Sequence, residues 1–117
     1  MNVVTAIGNL ATDVTVRDVN GDKKVANFLL AIDRPSKDGG ADFIPVAVWD
    51  KQAETCERFL AKGRKVAVDG RLRSRSWEEE GKRRTAIEIV ANRVHFLSGA
   101  GDAAGAEEVF EAAAAAH

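Results

Sequence analysis

Apolar and polar positions alternate along the first fifty residues of the chain, as they do in β-strands with one buried face. Residues 3–7 form a short apolar run, and residues 14–17 alternate up to Asn20-Gly21. Asn-Gly favours a tight turn because both residues tolerate positive φ. The pattern therefore predicts two N-terminal strands, the second of which forms a hairpin with a strand at residues 25–32.

A further strand is predicted for residues 43–49, after a loop rich in polar residues and glycine at 35–40. Phe43 and Trp49 lie on one face of this strand because they are six residues apart. The opposite face carries aliphatic residues that suit a barrel core: Ile44, Val46 and Val48. Pro45 has no N–H to give to a ladder, so it predicts an edge or a bulge.

The period of the apolar residues changes to that of a helix over residues 51–62. The apolar residues at helical spacing are Ala53, Cys56, Phe59 and Leu60. Asp50 is predicted to cap the start of this helix, and Gly63 is predicted to end it.

Two long strands complete the pattern, at residues 65–77 and 85–97, with a turn at Glu80-Gly81 between them and a bulge at Gly70. This order predicts a mainly all-β fold: a five-stranded Greek-key OB-fold barrel with one short helix between strands 3 and 4. We expect residues 1–98 to form this domain and residues 99–117 to be a flexible acidic, Ala-rich C-terminal tail.

Composition agrees with one domain, since 45% of the 117 residues are apolar. The first 100 residues carry all 17 Lys and Arg with 14 acids, whereas the last 17 carry four acids and no base. No apolar run could cross a bilayer and no signal peptide is visible, so we expect a cytoplasmic, nucleoid-associated protein without a membrane partner.

The segment GRLRSRSW carries the strongest candidate chemistry. In a strand, Arg71, Arg73, Arg75 and Trp77 share one face. Guanidinium groups pair with phosphates and an indole ring stacks on bases, so this row suits a single-stranded nucleic acid. The alternative is a solvated strand face. The rings of the preceding strand could likewise stack on a ligand, pack under the helix or a loop, or be covered by another subunit.

The body of the chain resembles the bacterial single-stranded DNA-binding protein family. The resemblance lies in MNVVTAIGNL, VANFLLAID, FIPVAVWDKQAE, FLAKGRKVAVDGRLRSRSW and TAIEIVANRVHFL, which occur in the family's order over residues 1–97. It implies sequence-independent binding and protection of single-stranded DNA in replication, repair and recombination. Its base-stacking aromatics match Phe43, Trp49 and Trp77, and its backbone-contacting bases match Lys51, Arg71, Arg73 and Arg75.

Further basic residues complete the candidate DNA-binding set: Arg34, Lys82, Arg83 and Arg84. The resemblance also implies a homo-oligomer, with a tetramer expected before a dimer. The family's acidic tail tip is replaced here by GAEEVFEAAAAAH. Replication and repair proteins stay candidate partners, although the tail motif through which the family recruits them is not intact here.

An enzyme is not expected, because one Cys and two distant His provide no metal site and no nucleophile with its base is visible. No catalytic residue and no cofactor are assigned. Two binding alternatives stay open: an OB-fold adaptor of the primosomal, replication-restart type that acts through protein contacts, and an RNA-binding OB module.

Overall fold

The computed structural model describes residues 1–19, 21–36 and 38–97. The predicted tail at 99–117 lies outside the described residues, as does Asn20 of the predicted turn. The elements are β1 (Val4–Leu10), β2 (Thr15–Val19), β3 (Lys23–Asp33), β4 (Ala41–Trp49), α1 (Asp50–Phe59), β5 (Lys65–Glu79) and β6 (Lys82–Leu97).

The strands form one sheet in the order β1-β5-β6-β4-β3-β2, and β1 also pairs with β3, which closes the barrel. All pairs are antiparallel except β4 with β6. The closing pairs are Asn9↔Ala31 and Leu10↔Leu30, and β2 continues along the same neighbour from Thr15↔Asn27. The two N-terminal strands predicted separately, β1 and β2, therefore form one interrupted strand along β3. Counted in this way, the six strand segments of the described residues make five barrel strands, α1 lies between the third and the fourth of them, and the OB-fold prediction is confirmed.

Alternate residues of the strands fill the barrel. Fully buried side chains include Leu30, Val48, Val66, Val68 and Phe96. The helix packs against β2, β3 and β4 and adds Ala53 and Cys56 to the same core. The edge or bulge predicted from Pro45 is wrong, because β4 lies between β3 and β6 and its register with β3 is unbroken; Pro45 is accommodated because it lies just outside the short ladder with β6.

The helix boundaries differ from the sequence prediction. The N-cap position is held by Trp49 without a side-chain cap, and Asp50 is the first helical residue, with a left-handed φ of 58°. The helix ends at Phe59 because Leu60 turns to an extended conformation and buries its side chain in the core. Gly63 lies in the turn that follows, where its N–H donates to the carbonyl of Leu10 at 2.8 Å.

Gly70 lies opposite a bulge between β5 and β6, and the extra residue is on β6, not on β5 as predicted. Asp69 is opposite Arg93 and Gly70 is opposite Ala91, so β6 contains one extra residue at Asn92. A Cβ atom on Gly70 would lie 2.1 Å from the carbonyl oxygen of Val90. The two backbones approach closely here, and beyond Gly70 the strand β5 pairs only with β6, as one arm of a long hairpin.

Candidate nucleic-acid interface

Three strands lie side by side where the candidate residues are found. Val90 of β6 is opposite Arg71 of β5 and beside Ala47 of β4. Residues directly opposite each other point to the same side of a sheet, so these three share one face. The next positions along the strands, Val46 and Ile89, belong to the core cluster of the barrel, whereas Ala47 and Val90 do not. The face that carries Arg71 is therefore the outer face of the barrel.

The predicted rings and guanidinium groups extend this outer face in both directions. Phe43 lies four residues before Ala47, and Arg75 lies four residues after Arg71, towards the same end of the sheet. Trp49 lies towards the opposite end, about 20 Å from Phe43 at the rise of a strand. The two rows that the sequence suggested separately form one continuous surface, which we call the outer face.

The rings of the outer face differ in exposure. Phe43 is 56% exposed and Trp77 is 42% exposed, although both are large apolar side chains. Trp49 is half-buried and lines a cleft of about 710 Å³ together with Lys51, Gln52 and Arg93. The expectation that Phe43 and Trp49 point away from the aliphatic core is confirmed.

Two contacts orient Trp77. The guanidinium of Arg75 lies 5.9 Å from the centre of the indole ring, a cation–π distance. The indole Nε1–H points to Glu79 Oε2 at 3.4 Å, which makes a weak hydrogen bond. The ring thus lies near the end of the hairpin with a cation beside it.

A carboxylate that the sequence analysis did not single out lies among the arginines. Glu88 is opposite Arg73 on β6 and is almost fully buried. Arg73 Nε donates to Glu88 Oε1 at 3.0 Å, its Nη2 donates to the same oxygen, and Arg75 Nε lies 3.8 Å away. The sequence signal was a single acid within the otherwise apolar run TAIEIV.

The other candidate bases occupy varied surroundings. Arg34 is paired with Asp42, at 2.9 Å from Nε and 2.8 Å from Nη2, and both side chains are exposed next to Phe43. Lys51 is exposed at the start of α1, beside Trp49. Arg34 therefore lies beyond the Phe43 end of the β3–β4 ladder, and Lys51 directly follows the Trp49 end.

The hairpin end is balanced in charge. Lys82 and Arg83 of β6 are opposite Glu79 and Glu78 of β5, and Arg84 is opposite Trp77. Arg84 Nε is also 3.9 Å from Glu79 Oε2. The basic residues at 82–84 thus face acids across the hairpin, unlike Arg71, which has Val90 opposite it.

Few groups among the described residues could carry other chemistry. Burial raises the pKa of the Cys56 thiol to about 12, which makes it a poor nucleophile. The described residues contain no group of three or more His, Cys, Asp or Glu side chains that could hold a metal ion. No helix in the described part of the chain is long and apolar enough to cross a membrane.

A closed OB-fold barrel with solvent-exposed rings beside guanidinium groups defines an oligonucleotide-binding protein. The chain belongs to the Single-strand binding protein family, which matches residues 1–97. This confirms the resemblance noted in the sequence.

Individual relatives agree with this assignment. The chain is 45% identical to the Single-stranded DNA-binding protein of Clostridium tetani, over 83% of this chain and 70% of the relative. It is 43% identical to Single-stranded DNA-binding protein 3 of Listeria innocua, over 90% of this chain and 69% of the relative. The Plasmodium falciparum SSB in complex with ssDNA superposes with a TM-score of 0.77 at 28% identity, covering 84% of this chain and 96% of that one. These similarities do not favour the adaptor alternative.

Proposed function

We propose that this chain binds single-stranded DNA without sequence preference and protects it during replication, repair and recombination. The observation that carries this proposal is the outer face, where exposed Phe43 and Trp77 lie on the same side of the sheet as the arginines of β5. The relatives' names and the structure of an SSB complex with ssDNA support the choice of ligand.

The mechanism is equilibrium binding, in which no covalent bond changes. Bases stack on the rings, and each stacked base contributes about 1–3 kcal/mol whatever its identity. Basic side chains neutralise phosphates and release counterions, so affinity falls as salt rises. A duplex keeps its bases stacked inside the helix, so the rings gain little from it.

The active species is a homo-oligomer, as in the family, and we propose a tetramer. One edge of β1 supports this, because residues 4–8 pair with β5 on one side while the β1–β3 ladder on the other side contains only Asn9 and Leu10. The backbone of residues 4–8 is therefore available on that side to a second copy of the chain. Residues 1–98 are proposed as the DNA-binding domain and residues 99–117 as a separate tail. The proposed location is the cytoplasm, on the nucleoid.

Tryptophan fluorescence tests the proposal. Adding a thymine oligonucleotide at low salt should quench the emission, because bases stack on Trp49 and Trp77. Single Trp49→Phe and Trp77→Phe variants assign the quench to each ring, and a duplex of equal length is the control. An unchanged signal at low salt would contradict both indoles as stacking sites, and equal affinity for the duplex would contradict single-strand binding.

A further inference from the structure

A buried carboxylate lies in the middle of a surface that is proposed to bind a polyanion. Among the described residues, Glu88 is the one charged residue that is buried, with 5% of its surface exposed. It belongs to the outer face because it is directly opposite Arg73 and two residues before Val90. A negative charge at this place should repel DNA unless a cation is permanently committed to it.

The contacts show which cation pairs with Glu88. Two N–H groups of Arg73, on Nε and Nη2, converge on the same carboxylate oxygen of Glu88. The Arg75 guanidinium is the next nearest, with its Nε 3.8 Å from that oxygen. Arg73 is also less exposed than Arg75, at 36% against 51% of the side chain.

Burial decides whether a phosphate could take Arg73 away from Glu88. Breaking a buried ion pair leaves an uncompensated charge in a medium that solvates it poorly, which is strongly unfavourable. The exposed pair of Arg34 with Asp42 differs, because water can solvate each partner if a phosphate replaces one of them. Arg73 therefore stays paired with Glu88 when DNA binds.

We propose that Glu88 is an internal counter-ion that withdraws Arg73 from the charges available to DNA phosphates, and so sets how steeply affinity depends on salt. This rests on the proposed function. The Arg73–Glu88 pair is then an electrically neutral part of the outer face. Arg71 has Val90 opposite it, so its full positive charge is available to DNA phosphates.

The test measures affinity for a thymine oligonucleotide at several salt concentrations and takes the slope of log K against log salt. Each phosphate contact on a single strand contributes about 0.7 to this slope. Glu88→Gln keeps the shape of the side chain but releases Arg73, so the slope should steepen by about 0.7 per subunit contacted. Over a fourfold rise in salt this adds about a 2.6-fold loss of affinity per subunit.

Two further variants make the test independent of any single substitution. Arg71→Gln should make the slope shallower by about 0.7 per subunit. Arg73→Gln combined with Glu88→Gln should return the wild-type slope, whatever its effect on the affinity itself. Melting temperature and native mass confirm that each variant is folded and assembled. If Glu88→Gln does not fold, the salt slope of the double variant is compared with that of Arg71→Gln instead.

The outcomes separate this proposal from the function on which it rests. A wild-type protein that does not bind the oligonucleotide would overturn the proposed function. If the wild type binds with a salt-dependent affinity, two results would overturn the internal counter-ion alone. One is an unaltered slope in Glu88→Gln, and the other is a slope in the double variant as shallow as that of Arg71→Gln.

Discussion

Phe43 keeps more than half of its surface in contact with solvent, although burying a phenyl ring is worth about 1.5–3 kcal/mol. Its neighbours along β4, Ile44 and Val46, take the places that point towards the barrel. A ring in this position stabilises the folded chain little, and it can contribute most of its apolar surface to a ligand. Affinity and stability should therefore respond separately to its removal.

Phe43→Ala should weaken binding of a thymine oligonucleotide by about 1–3 kcal/mol, or roughly 5- to 150-fold, because one stacking surface is lost. The melting temperature should change little. Phe59→Ala is the matched control, since this ring lies on α1 and packs at 6.3 Å from Phe96. It should lower the melting temperature and leave affinity unchanged, and the reverse pattern in the two variants would refute the stacking role of Phe43.

At this scale the sequence predicts which side chains share a strand face, because alternation along one strand is a local property. It placed Arg71, Arg73 and Arg75 together correctly. It could not show that Glu88 is opposite Arg73, because that contact depends on the register between β5 and β6 and therefore on the bulge at Gly70. The charge balance of the outer face therefore depends on the register between β5 and β6.

At the scale of elements, the β5–β6 hairpin ends in a two-residue turn. Glu79 pairs with Lys82, and the residues between them, Glu80 and Gly81, have φ of 52° and 77°. Positive φ at both positions is the geometry that matches the right-handed twist of hairpin strands. Glycine accepts this conformation without strain, whereas a glutamate has a Cβ that clashes in the left-handed region.

Glu80→Asn should stabilise the protein by about 0.5–1 kcal/mol, because asparagine tolerates the left-handed conformation that the turn needs. Thermal unfolding measures the change. Glu78→Asn is the matched control, because it removes the same charge from an extended strand position. A gain of similar size in both variants would show that charge, and not turn geometry, determines the effect.

The elements themselves were predictable because strands and helices have different periodicities. Their order along the chain, with one helix among the strands, indicated the OB fold. The helix end was not predictable from spacing. Leu60 continues the helical pattern of apolar residues, but its backbone is extended and its side chain is buried in the core, so α1 ends at Phe59. Tertiary packing overrides local pattern at this residue.

At the scale of the whole molecule, the two edges of the sheet are built differently. The edge strand β2 carries Arg17 and Asp18, and charged side chains of this kind discourage pairing with another chain. The strand β1 contains no charged residue, and its Ile7 is 53% exposed. An uncharged edge with an exposed aliphatic side chain favours association with a second copy, as the proposed oligomer requires.

Ile7→Lys should therefore shift the native mass of the protein from the oligomer towards smaller species, because it places a charge on the β1 edge strand. Sedimentation or native mass spectrometry measures the change, and Thr15→Lys on β2 is the control, since it adds the same charge to the opposite edge. Fewer subunits per strand also mean fewer phosphates neutralised in one binding event, so the salt slope of Ile7→Lys should become shallower. An Ile7→Lys protein with the mass of the wild type would exclude this face of β1 from the subunit interface.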